Sequence, residues 1–167
     1  FRTDHRHQPR PGGADPLGIP IHSPFLHAGS ARETVILLKF HGRRDLGRLA
    51  ARLMFESGLR APGGCAVVPL PLCPSRMRER GSNQAEVIAA PLAGLLDAPM
   101  AHCLSRLDRP PQIGLDAHSR RSNVKGAFGT GRDPVPVDMP VLLVDDVVTT
   151  GSTLDEAAAA ITGLGGR

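Results

Sequence analysis

The thirteen residues from Val141 to Thr153 constrain the fold of this chain more than any other segment. The first four are all apolar, which is typical of a strand buried on both faces of a parallel sheet. Asp145 and Asp146 end that strand, and a short turn of Thr, Gly and Ser follows, in which Ser152 is the expected cap of an Ala-rich helix. The segment therefore predicts a strand, a loop and a helix within an α/β fold.

The same segment has the composition of a ligand site. Ligands of open α/β sheets bind at the carboxyl ends of the strands, where Asp145 and Asp146 are expected. Carboxylates accept hydrogen bonds from sugar hydroxyls, and the amides at a helix N-terminus favour a phosphate. We therefore expect a sugar phosphate, its sugar on the acidic pair and its phosphate on Thr149, Thr150, Gly151, Ser152 and Thr153.

Each half of this segment also has a less specific interpretation. Paired Asp residues after a strand occur in metal sites and in phospho-acceptor domains, and a Ser/Thr-Gly turn before a helix can be only a cap. The complete segment is more specific than its halves. The chain has neither the Gly-Lys-Ser/Thr of a Walker P-loop nor a Rossmann fingerprint, so two common nucleotide-binding alternatives are excluded.

The first half of the chain predicts two helices, a buried strand and a third helix. The first helix starts near Ser30, with Glu33 at capping-box spacing, and the second is capped by Asp45. A Val-rich strand follows at Cys65 to Leu70, then a Pro- and Arg-rich loop at Pro71 to Gly81. The third helix starts near Ser82 and should be kinked or shortened by Pro91.

The stretch before the acidic pair is less regular. Met100 to Leu104 predicts a weaker strand, and Arg109 to Val124 lacks a clear period and predicts a mobile loop. Val135 to Met139 contains a proline and can form at most an edge element. Repeated strand, loop and helix units favour a parallel sheet flanked by helices.

Composition narrows the class of protein. The 167 residues include five Phe and neither Trp nor Tyr, which argues against nucleic-acid modules that stack bases on aromatic rings. Three cysteines without a C-x-x-C pair favour a reducing compartment, and no apolar run is long enough to span a bilayer, so we expect a cytoplasmic protein. Residues 1–29 predict a loose tail, and residues 30–167 predict the folded domain.

Charge is unevenly distributed along the chain. Asp138 to Glu156 holds five acidic residues and no Lys or Arg, whereas Arg76 to Arg80 and Arg106 to Lys125 are basic. An acidic pocket facing basic loops suits a polyanionic small molecule that carries a metal ion. A basic face that is simply solvated would give the same pattern.

Four segments together resemble a known family. Val141 to Thr153 resembles the motif that binds phosphoribosyl pyrophosphate (PRPP) in type I phosphoribosyltransferases. Val67-Val-Pro-Leu-Pro71, Arg76-Met-Arg-Glu-Arg-Gly-Ser-Asn-Gln84 and Arg120-Arg-Ser-Asn-Val-Lys-Gly-Ala-Phe128 resemble, in the same order, the competence protein F (ComF) family. Lys39 falls where that family has a Lys, without an assigned role. The family usually begins with a cysteine-rich zinc ribbon, but residues 1–29 contain no cysteine.

The resemblance implies a type I phosphoribosyltransferase fold and a role for each matching residue. Asp145 and Asp146 would hold the ribose hydroxyls, and the turn at 149–153 would hold the 5-phosphate. Pyrophosphate would lie near Arg76, Arg78 and Arg80. The segment from Arg109 to Val124, with Arg120 and Asn123, would be a flexible hood. The closing strand that the family has after its last helix is missing before Arg167, so the chain would be a truncated or a divergent copy.

Two functions follow from the resemblance as expectations. The first is a transferase that uses PRPP with Mg²⁺, passes the phosphoribosyl group to an unidentified nitrogen acceptor and releases pyrophosphate. No residue of the chain is assigned as a metal ligand, because Mg²⁺ would arrive with PRPP. The second is a non-catalytic PRPP sensor or adaptor of the DNA-uptake machinery in natural competence. Direct binding of single-stranded DNA through the Arg loops is disfavoured by the scarcity of aromatic residues.

Overall fold

The computed structural model describes residues 20–40, 43–59, 61–108 and 126–166. In these ranges the chain forms five helices and four short strands. In chain order they are α1 (Gly29–Phe40), α2 (Arg44–Glu56), β1 (Ala66–Pro69), α3 (Pro74–Arg80), α4 (Gln84–Leu96), β2 (Leu104–Arg106), β3 (Phe128–Thr130), β4 (Val141–Val144) and α5 (Ser152–Gly163). The α/β class predicted from the sequence is confirmed.

A small parallel sheet forms the centre of the molecule. β1 pairs with β4, from Ala66 opposite Val141 to Pro69 opposite Val144, and a bridge to Met100 lies on the other side of β1. All four residues of β1 are buried, whereas only the last residue of β4 is. Within the described residues, the expectation of a strand buried on both faces therefore fits β1, which has neighbours on both sides, and is wrong for β4.

A second ladder is antiparallel. β2 pairs with β3, with Leu104 opposite Thr130 and Arg106 opposite Phe128. The weaker strand predicted at Met100 to Leu104 does not form as one element. Met100 makes a single bridge to β1, and β2 starts only at Leu104. No strand forms at residues 135–139.

The alternation of side chains along β1 divides the core in two. Val67 faces a cluster formed with α1, α2 and α4, including Leu92, which is fully buried. Val68 faces a second cluster, formed with β2, β3 and α5, that includes Ile161. Burying one such aliphatic side chain stabilises the fold by roughly 1.5–3 kcal/mol, so the sheet is fixed from both faces.

Helices α2 and α4 approach closely at Gly47 and Val87. A Cβ atom at Gly47 would lie 2.5 Å from the carbonyl oxygen of Val87, so only glycine fits there. That carbonyl would normally accept from the amide of residue 91, which is Pro91 and has no N–H. Of the two effects predicted for Pro91, a kink or a shortened helix, the shortening does not occur, because α4 continues to Leu96.

Two further predictions need correction. The expected loop at Pro71 to Gly81 contains helix α3, which has Pro74 in its first turn and Gly81 in the left-handed conformation at its end. Arg43, not Asp45, is the N-cap residue of α2, and the two side chains pair with each other at 2.7 Å. Within the described ranges, no helix is both long and apolar enough to cross a lipid bilayer.

Candidate functional site

The carboxyl ends of β1 and β4 meet at one edge of the sheet. The amide of Leu70 donates to the carbonyl of Val144 at 2.9 Å, so the pairing of the two strands reaches their last residues. Asp145 and Asp146 follow β4 directly, and the turn into α5 follows them. The structure therefore brings the acidic pair and the Thr/Ser turn to the strand ends, where ligands of α/β sheets bind.

Asp145 lies in an environment that opposes ionisation. Burial, together with the charge of the neighbouring Asp146 carboxylate, raises the pKa of its carboxyl group to about 7, while Arg106 acts in the opposite direction. Asp145 Oδ1 also accepts a hydrogen bond from the Asp146 amide at 2.8 Å. A carboxyl group that titrates near neutral pH can both accept and release a proton under ordinary conditions.

Asp146 is neutralised by Lys39, which sequence analysis left without a role. Lys39 Nζ lies 3.0 Å from Asp146 Oδ2, and both side chains are mostly buried. That oxygen is inaccessible to solvent and has no partner in hydrogen-bonding geometry, so the contact is an ion pair without a directed hydrogen bond. The sequence signal for Lys39 was its match to a family Lys, but its partner is distant in the chain.

The turn before α5 differs in detail from the prediction. Gly151, not Ser152, is the N-cap residue, with a φ of 78° that favours glycine. Thr150 Oγ1 lies 2.9 Å from Ser152 Oγ and accepts from the Ser152 amide at 3.4 Å. Thr149 and Thr150 are exposed. The first-turn amides of α5 are thus next to hydroxyl groups, an arrangement that suits an anion.

The three Arg residues predicted near pyrophosphate lie on α3. Because α3 is helical, Arg76 and Arg80 share one face and Arg78 points away from it. Arg78 lies 3.9 Å from Asp108. Arg80 donates to Gln84 at 3.1 Å, and its Nε atom is buried without a hydrogen-bond partner.

Asn83 and Gln84 fix the elements around the site. Asn83 Nδ2 donates to the carbonyl of Leu70 at 2.9 Å, while its Oδ1 accepts from the Ala85 amide and caps α4. Gln84 Nε2 donates to the Ser82 carbonyl at 2.9 Å and approaches that of Leu38 at 3.4 Å. These two amides connect the end of β1 with the start of α4 and with α1.

Sequence analysis did not single out Arg106, which acts on the acidic pair, or Asp108, which contacts α3. Arg106 acts electrostatically on Asp145, and its guanidinium lies 5.3 Å from the ring centre of Phe128. Asp108 accepts from the Ser75 amide at 3.1 Å and from the Ser75 hydroxyl, and these hydrogen bonds lower its pKa. No pattern separated these residues from other charged ones in the sequence.

The predicted hood residues Arg120 and Asn123 lie outside the described residues.

The described part of the chain contains no cluster of three or more His, Cys, Asp or Glu residues that could hold a metal ion. Both ring nitrogens of the half-buried His102 already have partners. Nε2 lies 3.0 Å from Glu86 Oε1, and Nδ1 lies 3.0 Å from Arg132 Nη2. A site with two carboxylates could still share an Mg²⁺ ion with a bound pyrophosphate, because Mg²⁺ binds few carboxylates together with phosphates and water.

Comparisons with known proteins find relatives whose names refer to competence or to DNA utilization. The chain is 35% identical over 139 residues to Competence protein F of Haemophilus influenzae, covering 76% of this chain and 59% of that protein. It is 35% identical over 130 residues to DNA utilization protein YhgH of Salmonella typhi, covering 72% and 56%. It is 37% identical over 95 residues to Competence protein ComFC of Bacillus subtilis, covering 57% and 37%.

These similarities support a relationship to the competence protein F family. The chain spans little more than half the length of the first two relatives. No protein-family model matches the chain, and no solved structure matches it significantly.

Proposed function

We propose that this chain binds PRPP and acts as a phosphoribosyltransferase. The observation that carries the proposal is the acidic pair at the end of β4, followed within a few residues by the glycine-capped N-terminus of α5. Carboxylates suit ribose hydroxyls and first-turn amides suit a phosphate, so this short segment can hold both ends of a ribose phosphate.

Each part of the site has a role in this proposal. Asp145 and Asp146 accept hydrogen bonds from the ribose hydroxyls, and Lys39 Nζ, 3.0 Å from Asp146 Oδ2, holds the Asp146 carboxylate in place. Residues 149–153 hold the 5-phosphate. Arg76 and Arg80, on one face of α3, lie after the end of β1 and supply positive charge to the leaving pyrophosphate. Arg78 and the hood residues Arg120 and Asn123 complete the set proposed from the sequence.

The reaction is a substitution at C1 of the ribose. The lone pair of an acceptor nitrogen forms the new N–C1 bond as the C1–O bond breaks, and its electron pair leaves with pyrophosphate. Positive charge develops on the sugar and negative charge on the leaving group, so fixed cations near pyrophosphate lower the barrier. Mg²⁺ bound to the diphosphate supplies further positive charge there. Asp145, with its pKa near neutral, can accept the proton that the nitrogen releases.

A second candidate function is a non-catalytic PRPP sensor or adaptor in DNA uptake. The names Competence protein F and DNA utilization protein favour it, because they refer to competence and to DNA utilization and not to a transfer reaction. Both candidates require PRPP binding at the same site. They differ in turnover, so release of pyrophosphate in the presence of candidate nitrogen acceptors distinguishes them.

Calorimetric titration with PRPP and Mg²⁺ tests the site shared by both candidates. We expect the Asp145→Asn/Asp146→Asn variant to bind at least about tenfold more weakly than wild type, or about 1.4 kcal/mol. The matched control is Asp97→Asn/Asp138→Asn, which changes the charge equally at two exposed positions away from the strand end. Equal loss in both variants would indicate a general effect of charge. Unchanged affinity in the first variant would remove the ribose role of the acidic pair.

A further inference from the structure

Arg80, the last residue of α3, is held by a buried glutamine of the next helix. Gly81 ends α3 with a φ of 69°, and its amide donates to the Met77 carbonyl at 2.9 Å. The chain then turns into α4, whose first residue is Gln84. Across this turn, Arg80 Nη1 donates to Gln84 Oε1 at 3.1 Å. The turn therefore joins two side chains that belong to different helices.

The side-chain amide of Gln84 has one favourable orientation. The residue is only 1% exposed, and its Nε2 donates to the Ser82 carbonyl at 2.9 Å and to the Leu38 carbonyl at 3.4 Å. An amide nitrogen only donates and an amide oxygen only accepts. The reversed amide would place Oε1 against two carbonyls and Nε2 against a guanidinium. Gln84 Oε1 is therefore fixed in the direction of Arg80.

The contact with Leu38 connects Arg80 to the acidic pair. Leu38 is followed in α1 by Lys39, whose Nζ lies 3.0 Å from Asp146 Oδ2. A continuous path therefore leads from Arg80 through the Gln84 amide and one backbone peptide to the carboxylate of Asp146. The two cations of this path, on α3 and on α1, are held in a fixed relation by one buried side chain.

Asn83 provides a second connection between α4 and the strand ends. Its Nδ2 donates to the Leu70 carbonyl at 2.9 Å. The Leu70 amide in turn donates to the carbonyl of Val144, the residue before Asp145. The start of α4, and with it Gln84, is therefore anchored to the same strand ends that carry the candidate sugar site.

The three Arg residues of α3 differ in how they are held. Arg76 is exposed, and Arg78 lies 3.9 Å from Asp108. Arg80 is bound by a buried side chain, but among the described residues its Nε atom has no hydrogen-bond partner. An Arg side chain has five N–H groups, so Arg80 keeps donors beyond the one used by Gln84. A guanidinium fixed in advance loses little conformational freedom when it binds an anion.

We propose that Gln84 is a positioning residue that sets the preference of this site for PRPP over ribose 5-phosphate, acting through the guanidinium of Arg80. This inference rests on the proposed function. PRPP and ribose 5-phosphate share the ribose and the 5-phosphate, and they differ at C1, where PRPP carries the diphosphate. A residue that acts only through Arg80 therefore changes the affinity for PRPP and leaves the affinity for ribose 5-phosphate unchanged.

Gln84→Met separates a positioning role from a purely structural one. Met has a similar size, but it neither accepts from Arg80 nor donates to the two carbonyls. Calorimetric titrations of the whole chain with PRPP and with ribose 5-phosphate, each with Mg²⁺, give both affinities. We expect PRPP affinity to fall at least about fivefold and ribose 5-phosphate affinity to change by less than about twofold. Equal losses for the two ligands, or an unchanged PRPP affinity, would overturn the proposal.

A double-mutant cycle tests whether Gln84 acts through Arg80. Arg80→Met should lower PRPP affinity at least about tenfold, and in that background Gln84→Met should change it further by less than about twofold. Losses that simply add would overturn the proposal. The matched control is Arg48→Met, which removes the same charge at an exposed position of α2 and should leave the preference for PRPP unchanged. A loss of preference as large as that of Arg80→Met would also overturn it.

Gln84→Asn keeps the amide but is shorter by one methylene, and it serves if thermal unfolding shows that Gln84→Met does not fold. We expect the same selective loss of PRPP affinity, because the shorter amide cannot bridge Arg80 and the Leu38 carbonyl.

The two proposals can fail separately. If wild type prefers PRPP and the folded Gln84 variants keep that preference, the positioning role is wrong and the proposed function stands. If wild type binds PRPP no more tightly than ribose 5-phosphate, Arg80 does not hold the diphosphate and the inference is wrong. If wild type binds neither ligand, the proposed function is wrong, and the role of Gln84 with it.

Discussion

Lys39 Nζ lies 3.0 Å from Asp146 Oδ2, so the last turn of the first helix neutralises a carboxylate at the end of the last strand. The two residues are far apart in the chain but share one side of the strand ends. Because Asp146 Oδ2 is inaccessible to solvent, Lys39 takes the place of water as the source of compensating positive charge.

Replacing Lys39 should therefore destabilise the fold. We expect Lys39→Ala to lower the free energy of unfolding by about 1–3 kcal/mol, because it leaves a mostly buried carboxylate without a counter-charge. The measurement is urea unfolding at neutral pH. Arg52→Ala is the control, since it breaks an ion pair with Glu56 whose side chains are 72% and 53% exposed, and it should cost less than about 1 kcal/mol. Equal losses in the two variants would contradict the buried ion pair.

The pH dependence of stability should reveal Asp145. Burial raises the pKa of its carboxyl group to about 7, above its value in the unfolded chain, so the folded state holds this proton more tightly. Its contribution is fully present below about pH 4 and is lost as the pH rises to about 7. Wild type should therefore lose stability relative to Asp145→Asn over this range, by at most about 1.4 kcal/mol per pH unit.

Asp108 provides a control of opposite sign. Hydrogen bonds from the Ser75 hydroxyl and amide lower the pKa of Asp108, so its contribution is present above its unfolded pKa and lost as the pH falls through the folded value. The stability difference between wild type and Asp108→Asn should be constant from about pH 5 to 7. The measurement is urea unfolding at a series of pH values. A difference for Asp145→Asn that is also constant there would refute its raised pKa.

The sequence predicted what is local in this structure. A run of apolar residues, a pair of carboxylates and a Thr/Ser-Gly turn specify strand β4, its end and the start of α5 within one continuous segment. The position of β4 at the edge of the described sheet was not predictable, because neighbours of a strand are set by tertiary pairing and not by its own residues.

Contacts between segments that are distant in the chain could also not be predicted from the sequence. Lys39 and Asp146 meet only when α1 packs beside the sheet, and His22 contacts Ser57, which is 35 residues away in the chain. Helix α3 was missed because its prolines and arginines were interpreted as a loop, although Pro74 is favourable in a first helical turn. The predicted roles of the site residues stay predictions.

Asn83 offers a test of how the end of β1 is held. Its Nδ2 donates to the Leu70 carbonyl while its Oδ1 caps α4. Asn83→Asp keeps a good cap but places a carboxylate oxygen against that carbonyl, and we expect a loss of at least about 2 kcal/mol in unfolding free energy. Asn83→Ser keeps the cap without the repulsion and should cost about 1–2 kcal/mol. The measurement is urea unfolding. A smaller loss of unfolding free energy in Asn83→Asp than in Asn83→Ser would contradict this arrangement.

Gly151 and Gly163 lie at the two ends of α5 and should respond oppositely to the same substitution. Gly151 has a φ of 78°, where a Cβ atom is strained, so Gly151→Ala should cost about 1–2 kcal/mol. Gly163 is helical, its φ is not in the left-handed range, and a Cβ there meets no atom within 4 Å. Gly163→Ala should therefore stabilise the fold by about 0.4–1 kcal/mol, because it reduces the entropy of the unfolded chain.

The same pair of variants connects backbone geometry with ligand binding. Gly151→Ala disturbs the turn that leads into the first-turn amides of α5, so PRPP affinity should fall by about tenfold or more, whereas Gly163→Ala should leave it unchanged. Gly151→Val would be more strained still, because a β-branched residue strongly disfavours positive φ, and it would not separate phosphate binding from folding. Thermal unfolding and PRPP titration of the two Ala variants give both quantities. Wild-type PRPP affinity in Gly151→Ala would show that this turn does not hold the phosphate.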